Sequence, residues 1–153
     1  MFNNDVFAAK GYLISTDKSL LVLTVIHQYL SVESYWAKNI PLEVVKRSIE
    51  NSFCFGLYFQ DSQIGFARVI TDKATFAYLA DVFILATHRG KGLSKWLIET
   101  IHAQTDLQNL RRWMLGTKDA QALYAQFGWE PLPEEMVSRF MQLHNPDVYK
   151  PKI

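Results

Sequence analysis

Apolar residues recur along this chain with two different periods, and the switches between them mark out helices and strands. Gly11-Tyr12-Leu13-Ile14-Ser15 is a short apolar run that predicts a first strand. Asp17 suits a helix cap, and beyond it Leu20, Leu23, Ile26, Tyr29 and Leu30 recur at helical spacing, predicting one continuous helix. Ser34-Tyr35-Trp36 breaks that period, so the helix frays or bends there. Pro41 suits the first turn of a second helix, with Leu42, Val45 and Ile49 as its apolar stripe, Glu43 and Arg47 spaced to pair, and an end near Asn51. Then the period drops to that of strands. Phe53 to Phe59 is aromatic-rich, Gln60-Asp61-Ser62-Gln63 reads as a turn, and Ile64 to Thr71 is the next strand. Asp72-Lys73 marks another turn and Thr75 to Leu85 a third, longer strand, which makes an antiparallel meander.

After Leu85 a glycine-containing loop opens onto a helix with Leu93, Trp96, Leu97 and Ile101 on one face, and Arg112 to Leu115 is a short strand. Strand, helix, strand implies a parallel pair. Asp119 to Phe127 reads as a helix closed by Gly128, and Val137 to Leu143 as one more strand. No repeat, linker or low-complexity stretch interrupts the pattern. The expectation is a single α/β domain over 1–153, a mixed sheet with helices packed on it.

Composition narrows the function. A formal net charge of +1 without any block of like charge argues against nucleic-acid wrapping as the main business. The longest strongly apolar run, Leu20 to Ile26, is far short of the ~20 residues of a membrane span. The one cysteine, Cys54, cannot make an internal disulfide and lies in an apolar run as an inert buried thiol, and both facts suit a reducing cytoplasm; no basic stretch followed by an apolar core opens the sequence, so no signal peptide is expected. His27, His88, His102 and His144 are scattered without metal-ligand spacing, so no metal is expected. His88 reads as solvated surface.

The stretch Asp81-Val82-Phe83-Ile84-Leu85-Ala86-Thr87-His88-Arg89-Gly90-Lys91-Gly92-Leu93-Ser94 carries the chemistry. A helix start leaves backbone N–H groups unpaired and partially positive, an anion site. Gly90 and Gly92 let a large anion approach the backbone, and Arg89 and Lys91 add charge. No Walker A string exists, and Lys95 occupies the place of the third glycine in a dinucleotide fingerprint. A coenzyme A diphosphate loop remains.

Here the sequence resembles the GNAT superfamily of N-acetyltransferases. Its diphosphate motif, [QR]-x-x-G-x-[GA], is approached by Arg89-Gly90-Lys91-Gly92-Leu93-Ser94, with Ser94 departing at the last position. About thirty residues on, Asp119-Ala120-Gln121-Ala122-Leu123-Tyr124-Ala125-Gln126-Phe127-Gly128-Trp129 looks like the family's A-x-x-L-Y-x-x-x-G-F turn, Trp129 replacing Phe. The resemblance implies a GNAT fold of about six or seven strands, splayed between two central parallel strands and flanked by helices. It implies acetyl-CoA as co-substrate, held by Arg89, Gly90, Lys91, Gly92, Leu93 and Ser94 and by the backbone of Val82, Phe83 and Ile84. A backbone N–H near Val82 or Phe83 would stabilise the developing oxyanion.

The same resemblance makes Tyr124 the acid for the leaving thiolate and places Asp119 on the pantetheine arm, or as a plain helix cap. Asp81 is the first candidate for the base that frees the amine, or else a structural acceptor; Glu33 and Tyr78 are weaker ones. Tyr35, Trp36 and Tyr78 are candidate walls of the acceptor pocket. The expected partner is a small-molecule amine, with no nucleic acid and no membrane, and the expected state a monomer or weak homodimer. A protein or peptide acceptor, and a non-catalytic acyl-CoA sensor, are the alternatives.

Overall fold

The computed structural model describes residues 4–153. The chain divides into two compact units, one ending at Gly116 and one spanning Thr117–Ile153.

The first unit carries a five-stranded sheet in the order β1-β2-β3-β4-β5. Its strands are β1 (Tyr12–Ser15), β2 (Phe53–Phe59), β3 (Ser62–Thr71), β4 (Phe76–Ile84) and β5 (Arg112–Met114). The first four run antiparallel to their neighbours and β5 runs parallel to β4. The interior of β2 is buried on both faces, which explains its unbroken apolar run Cys54-Phe55-Gly56-Leu57-Tyr58 in place of alternation. The β2–β3 turn is tighter than the sequence suggests: Phe59 pairs with Ser62, and Gln60 takes φ 52°. At the β3–β4 turn the Asp72 carboxylate accepts from the N–H groups of Ala74 (2.9 Å) and Thr75 (2.8 Å). The Thr75 hydroxyl bond and these N–H donors hold Asp72 well below the usual carboxylate range.

Four helices pack around this sheet's elements in chain order. α1 (Asn4–Ala9) precedes β1, α2 (Leu23–Gln28) and α3 (Leu42–Glu50) precede β2, and α4 (Leu93–His102) joins β4 to β5. α4 buries Leu93, Trp96, Leu97, Ile98 and Ile101, and each such aliphatic side chain stabilises by about 1.5–3 kcal/mol.

Several expectations are corrected. The helix foreseen from Asp17 is three pieces: a 3-10 turn Lys18–Leu20 capped by Asp17, then α2, then a wide π-turn Tyr29–Glu33 closed by Ser34 N–H to Tyr29 C=O at 2.8 Å. The Ser31 and Ser34 hydroxyls bond back to the carbonyls of His27 and Leu30, competing with the regular ladder there. Pro41 stands just before α3, extended at ψ 147°, and Glu43 pairs with Lys46 at 3.0 Å instead of Arg47.

The second unit contains α5 (Gln121–Ala125) and α6 (Glu134–Val137). The strand expected at Val137–Leu143 does not form, since Val137 ends α6. With it gone, the sheet has five strands among the described residues, and β5 is an edge strand instead of a central one.

Candidate active site

The site begins where β4 ends. Leu85 leads into a 3-10 turn, Ala86–His88, and then into the glycine loop. Arg89 fastens this corner: its Nε donates to the Ile84 carbonyl (2.9 Å) and its Nη2 to the Tyr29 hydroxyl (3.0 Å). The sequence suggested Arg89 for an incoming anion, whereas here its guanidinium is tied to the protein twice. His88, expected on solvated surface, is partly buried, with Nδ1 3.1 Å from the Tyr12 hydroxyl.

Gly92 is the residue before α4, at φ 80° and ψ 9°, a left-handed conformation that a side chain strains. No side chain caps α4, and no acidic residue occupies its first turn. Among the described residues, no acceptor takes the backbone N–H groups of Gly92, Leu93, Ser94 and Lys95. Four open donors and the positive end of a ten-residue helix therefore converge on one spot. A diphosphate fits this donor set.

The second element is the free edge of β4. β4 and β5 pair only from Phe76 to Tyr78, against Arg112 to Met114. From Leu79 to Ile84, no strand lies on that side among the described residues. An extended amide-bearing arm can be matched by such an edge.

At the start of this free stretch β4 bulges. Phe66 pairs with Phe83 but Arg68 pairs with Ala80, so β4 carries one residue more than β3, and Asp81 stands at φ 54°. The bulge turns the Asp81 side chain onto two donors. Trp36 Nε1 donates to Oδ1 at 2.9 Å, and Arg68 Nε to Oδ2 at 2.8 Å. Arg68 also donates from Nη1 to the Ser52 hydroxyl at 3.1 Å. The ion pair is mostly enclosed, with 15% of the Arg68 side chain and 9% of the Asp81 side chain exposed.

The π-turn places the aromatic neighbours. Tyr29 stacks on Phe83 with centroids 4.0 Å apart, and Trp36 meets Tyr35 edge-on at 5.1 Å. Tyr35 and Trp36 are half exposed, and so is Tyr78 on β4. The structure thus joins Asp81 and Trp36, which the sequence proposed separately. Arg68, Ser52 and Tyr29 were missed; an arginine amid Ile64-Gly65-Phe66-Ala67-Arg68-Val69-Ile70 was the one available signal, a charge in an otherwise apolar strand.

Asp119 and Tyr124 belong to the second unit. Asp119 does not cap α5; Ala120 holds that position, without a side-chain bond. Tyr124 is buried and meets Trp129 edge-on at 5.9 Å. Gly128 takes φ 87° just past the helix, as its role as a stop requires. Among the described residues, no cluster of three or more His, Cys, Asp or Glu could hold a metal. None of the helices among them is long and apolar enough to cross a membrane.

The profile of the acetyltransferase (GNAT) domain matches residues 50–131, from the end of α3 through the turn after α5. The chain belongs to the GNAT family. A Gibberella zeae protein named as a candidate acetyltransferase is 35% identical over 135 residues, covering 75% of this chain and 76% of that one. The crystal structure of a GNAT-family candidate acetyltransferase from Xanthomonas campestris pv. campestris is similar at a TM-score of 0.88 and 48% identity, covering 92% of this chain and 97% of that one. A Clostridium acetobutylicum protein described as an acetyltransferase, solved with acetyl-CoA, shares the fold at a TM-score of 0.64 and 14% identity, covering 87% of this chain and 94% of that one. The chain is therefore a GNAT acyltransferase.

Proposed function

We propose that this protein transfers acetyl from acetyl-CoA to the primary amine of a small molecule by direct attack. One observation carries the reading: four open amides and a strand edge without a partner lie at the same end of β4, with a mostly enclosed carboxylate between edge and aromatic shelf.

The N–H groups of Gly92, Leu93, Ser94 and Lys95 hold the diphosphate, with Lys91 adding charge and Arg89 fixing the loop. The edge from Val82 to Ile84 aligns the pantetheine arm. Acetyl-CoA, when bound, supplies a thioester carbonyl for the amine to attack. A backbone N–H of Val82 or Phe83 donates to the carbonyl oxygen and stabilises its developing charge. The amine reaches the site as ammonium, because alkylamines are mostly protonated near neutral pH. Asp81 attracts that cation, and each of its oxygens keeps a lone pair beyond its present bond, so it takes the proton directly or through one water. Trp36, Tyr35 and Tyr78 wall the acceptor, and Tyr124 hands its hydroxyl proton to the leaving sulfur. Asp119 is assigned to the pantetheine arm. The Arg89 bond to Tyr29 ties the loop to the π-turn that carries the acceptor wall.

The test is a panel of small amines and short peptides with acetyl-CoA, followed by thiol release. Turnover on amines is expected. Turnover on peptides alone would assign a protein acceptor, and tight acetyl-CoA binding without turnover on anything would make the protein a sensor.

A further inference from the structure

Tyr78 and Ile70 pair across β3 and β4, two residues along from the pairing of Arg68 with Ala80, so both stand on the sheet face that carries the Arg68 side chain. Phe76, two residues before Tyr78 on β4, shares that face. Trp36 reaches the same cluster from the π-turn side, with its Nε1 on Asp81 and Tyr35 edge-on against it. Tyr35, Trp36, Ile70, Phe76 and Tyr78 are each between 37% and 51% exposed. Apolar residues exposed singly are ordinary on a protein surface. Five of them bordering one mostly enclosed carboxylate are a patch of the kind that takes a ligand.

The charges around this patch say what the ligand carries. On β3, β4, β5 and residues 34–41 the cations are Arg68, Arg112 and Lys38. Arg68 is taken by Asp81 and Ser52, Lys38 Nζ donates to the Val32 carbonyl at 2.8 Å, and Arg112 has a partner of its own. A carboxylate or phosphate on the acceptor would therefore face Asp81 with no uncommitted cation from these elements to offset it, whereas an ammonium group finds a carboxylate. Four of the five exposed side chains are rings, and a further ring gains edge-to-face or offset contact with them beyond plain apolar contact. We propose that the acceptor is an arylalkylamine, a primary amine on a short alkyl chain with an aromatic body and no anionic group, and that Tyr78 and Trp36 set this preference. The inference rests on the acetyl-transfer reading of the site and names the class of amine that it takes.

The experiment compares kcat/KM, with acetyl-CoA saturating, for 2-phenylethylamine, ethylamine, phenylalanine and glucosamine 6-phosphate. The first should exceed each of the others by at least about tenfold, the scale of one apolar group seated or one charge misplaced in a binding site. Tyr78→Ala should raise KM for 2-phenylethylamine at least about fivefold and leave that for ethylamine within about twofold, while Tyr78→Phe should keep the unaltered preference. Ethylamine or either anionic amine used as well as 2-phenylethylamine overturns the proposal, and so does a Tyr78→Ala loss equal for both uncharged-body amines. Calorimetry with 2-phenylethylamine on the protein saturated with coenzyme A reads the same preference without turnover, and Tyr78→Ala should weaken that binding by a similar factor. Selective binding there without acetyl transfer to any amine would sink the acetyl-transfer reading and leave the ring preference standing; binding no tighter than that of ethylamine would overturn the preference alone.

Discussion

Replacing Asp81 with asparagine tests the core of the acceptor site. The left-handed backbone at φ 54° tolerates an asparagine as well as it does an aspartate, so the change removes charge without adding backbone strain. The carboxamide would keep one acceptor oxygen for either Trp36 or Arg68, but not both. The Arg68 guanidinium, 15% exposed, would then be left facing a neutral group. Breaking an enclosed pair from one side costs up to about 3–5 kcal/mol, and the surviving hydrogen bond and residual exposure bring the expectation to about 2–3 kcal/mol. For a chain of this size that corresponds to a melting temperature lower by roughly 5–10 °C. Combining it with Arg68→Met removes both charges, and the double variant should regain more than about 1 kcal/mol relative to the sum of the single changes. Thermal denaturation reads the cycle and steady-state kinetics read turnover, with acetyl-CoA affinity measured in parallel. Turnover should fall at least tenfold while acetyl-CoA affinity holds within about threefold. An unchanged melting temperature, or strict additivity in the cycle, would mean that the pair is not coupled in the way its geometry implies.

Further outcomes follow from the same geometry. Gly92→Glu should abolish detectable acetyl-CoA binding by calorimetry, because a side chain strains φ 80° and a carboxylate there repels the diphosphate; normal affinity would remove the loop from the site. Tyr124→Phe should lower turnover more than it weakens coenzyme affinity, whereas equal losses would make Tyr124 a packing residue. Burial pushes the Cys54 thiol up to about 11, so little thiolate exists at pH ~8 and iodoacetamide should label the native protein far more slowly than the protein in denaturant; equal labelling rates would contradict its burial.

Most of the strand pattern was readable because it depends on local apolar runs and turn residues. β2 lies at the limits read from its aromatic run, and α4 starts where the glycine loop ends. The errors occur where local pattern and tertiary demand part. Leu20 through Leu30 keeps a helical period across what are three segments, because period records which side is buried and not whether the hydrogen-bond ladder is unbroken. Val137 to Leu143 is apolar enough for a strand but follows Pro133-Glu134-Glu135, which starts a helix instead. In the site, the glycine loop was legible because its requirements are local, a positive φ and open amides. The Asp81–Arg68–Ser52 cluster was not, because it depends on a one-residue bulge and on pairing between β3 and β4. Arg89 shows the remaining gap: its place in the motif was legible, but not the two protein acceptors that claim its guanidinium.

The sharpest check is an amide-resolved NMR titration with acetyl-CoA. The N–H resonances of Gly92, Leu93, Ser94 and Lys95 should move downfield together, with those of the β4 edge from Val82 to Ile84 shifting at the same ligand concentration. Saturable binding that leaves these signals in place would put the coenzyme somewhere else on the protein.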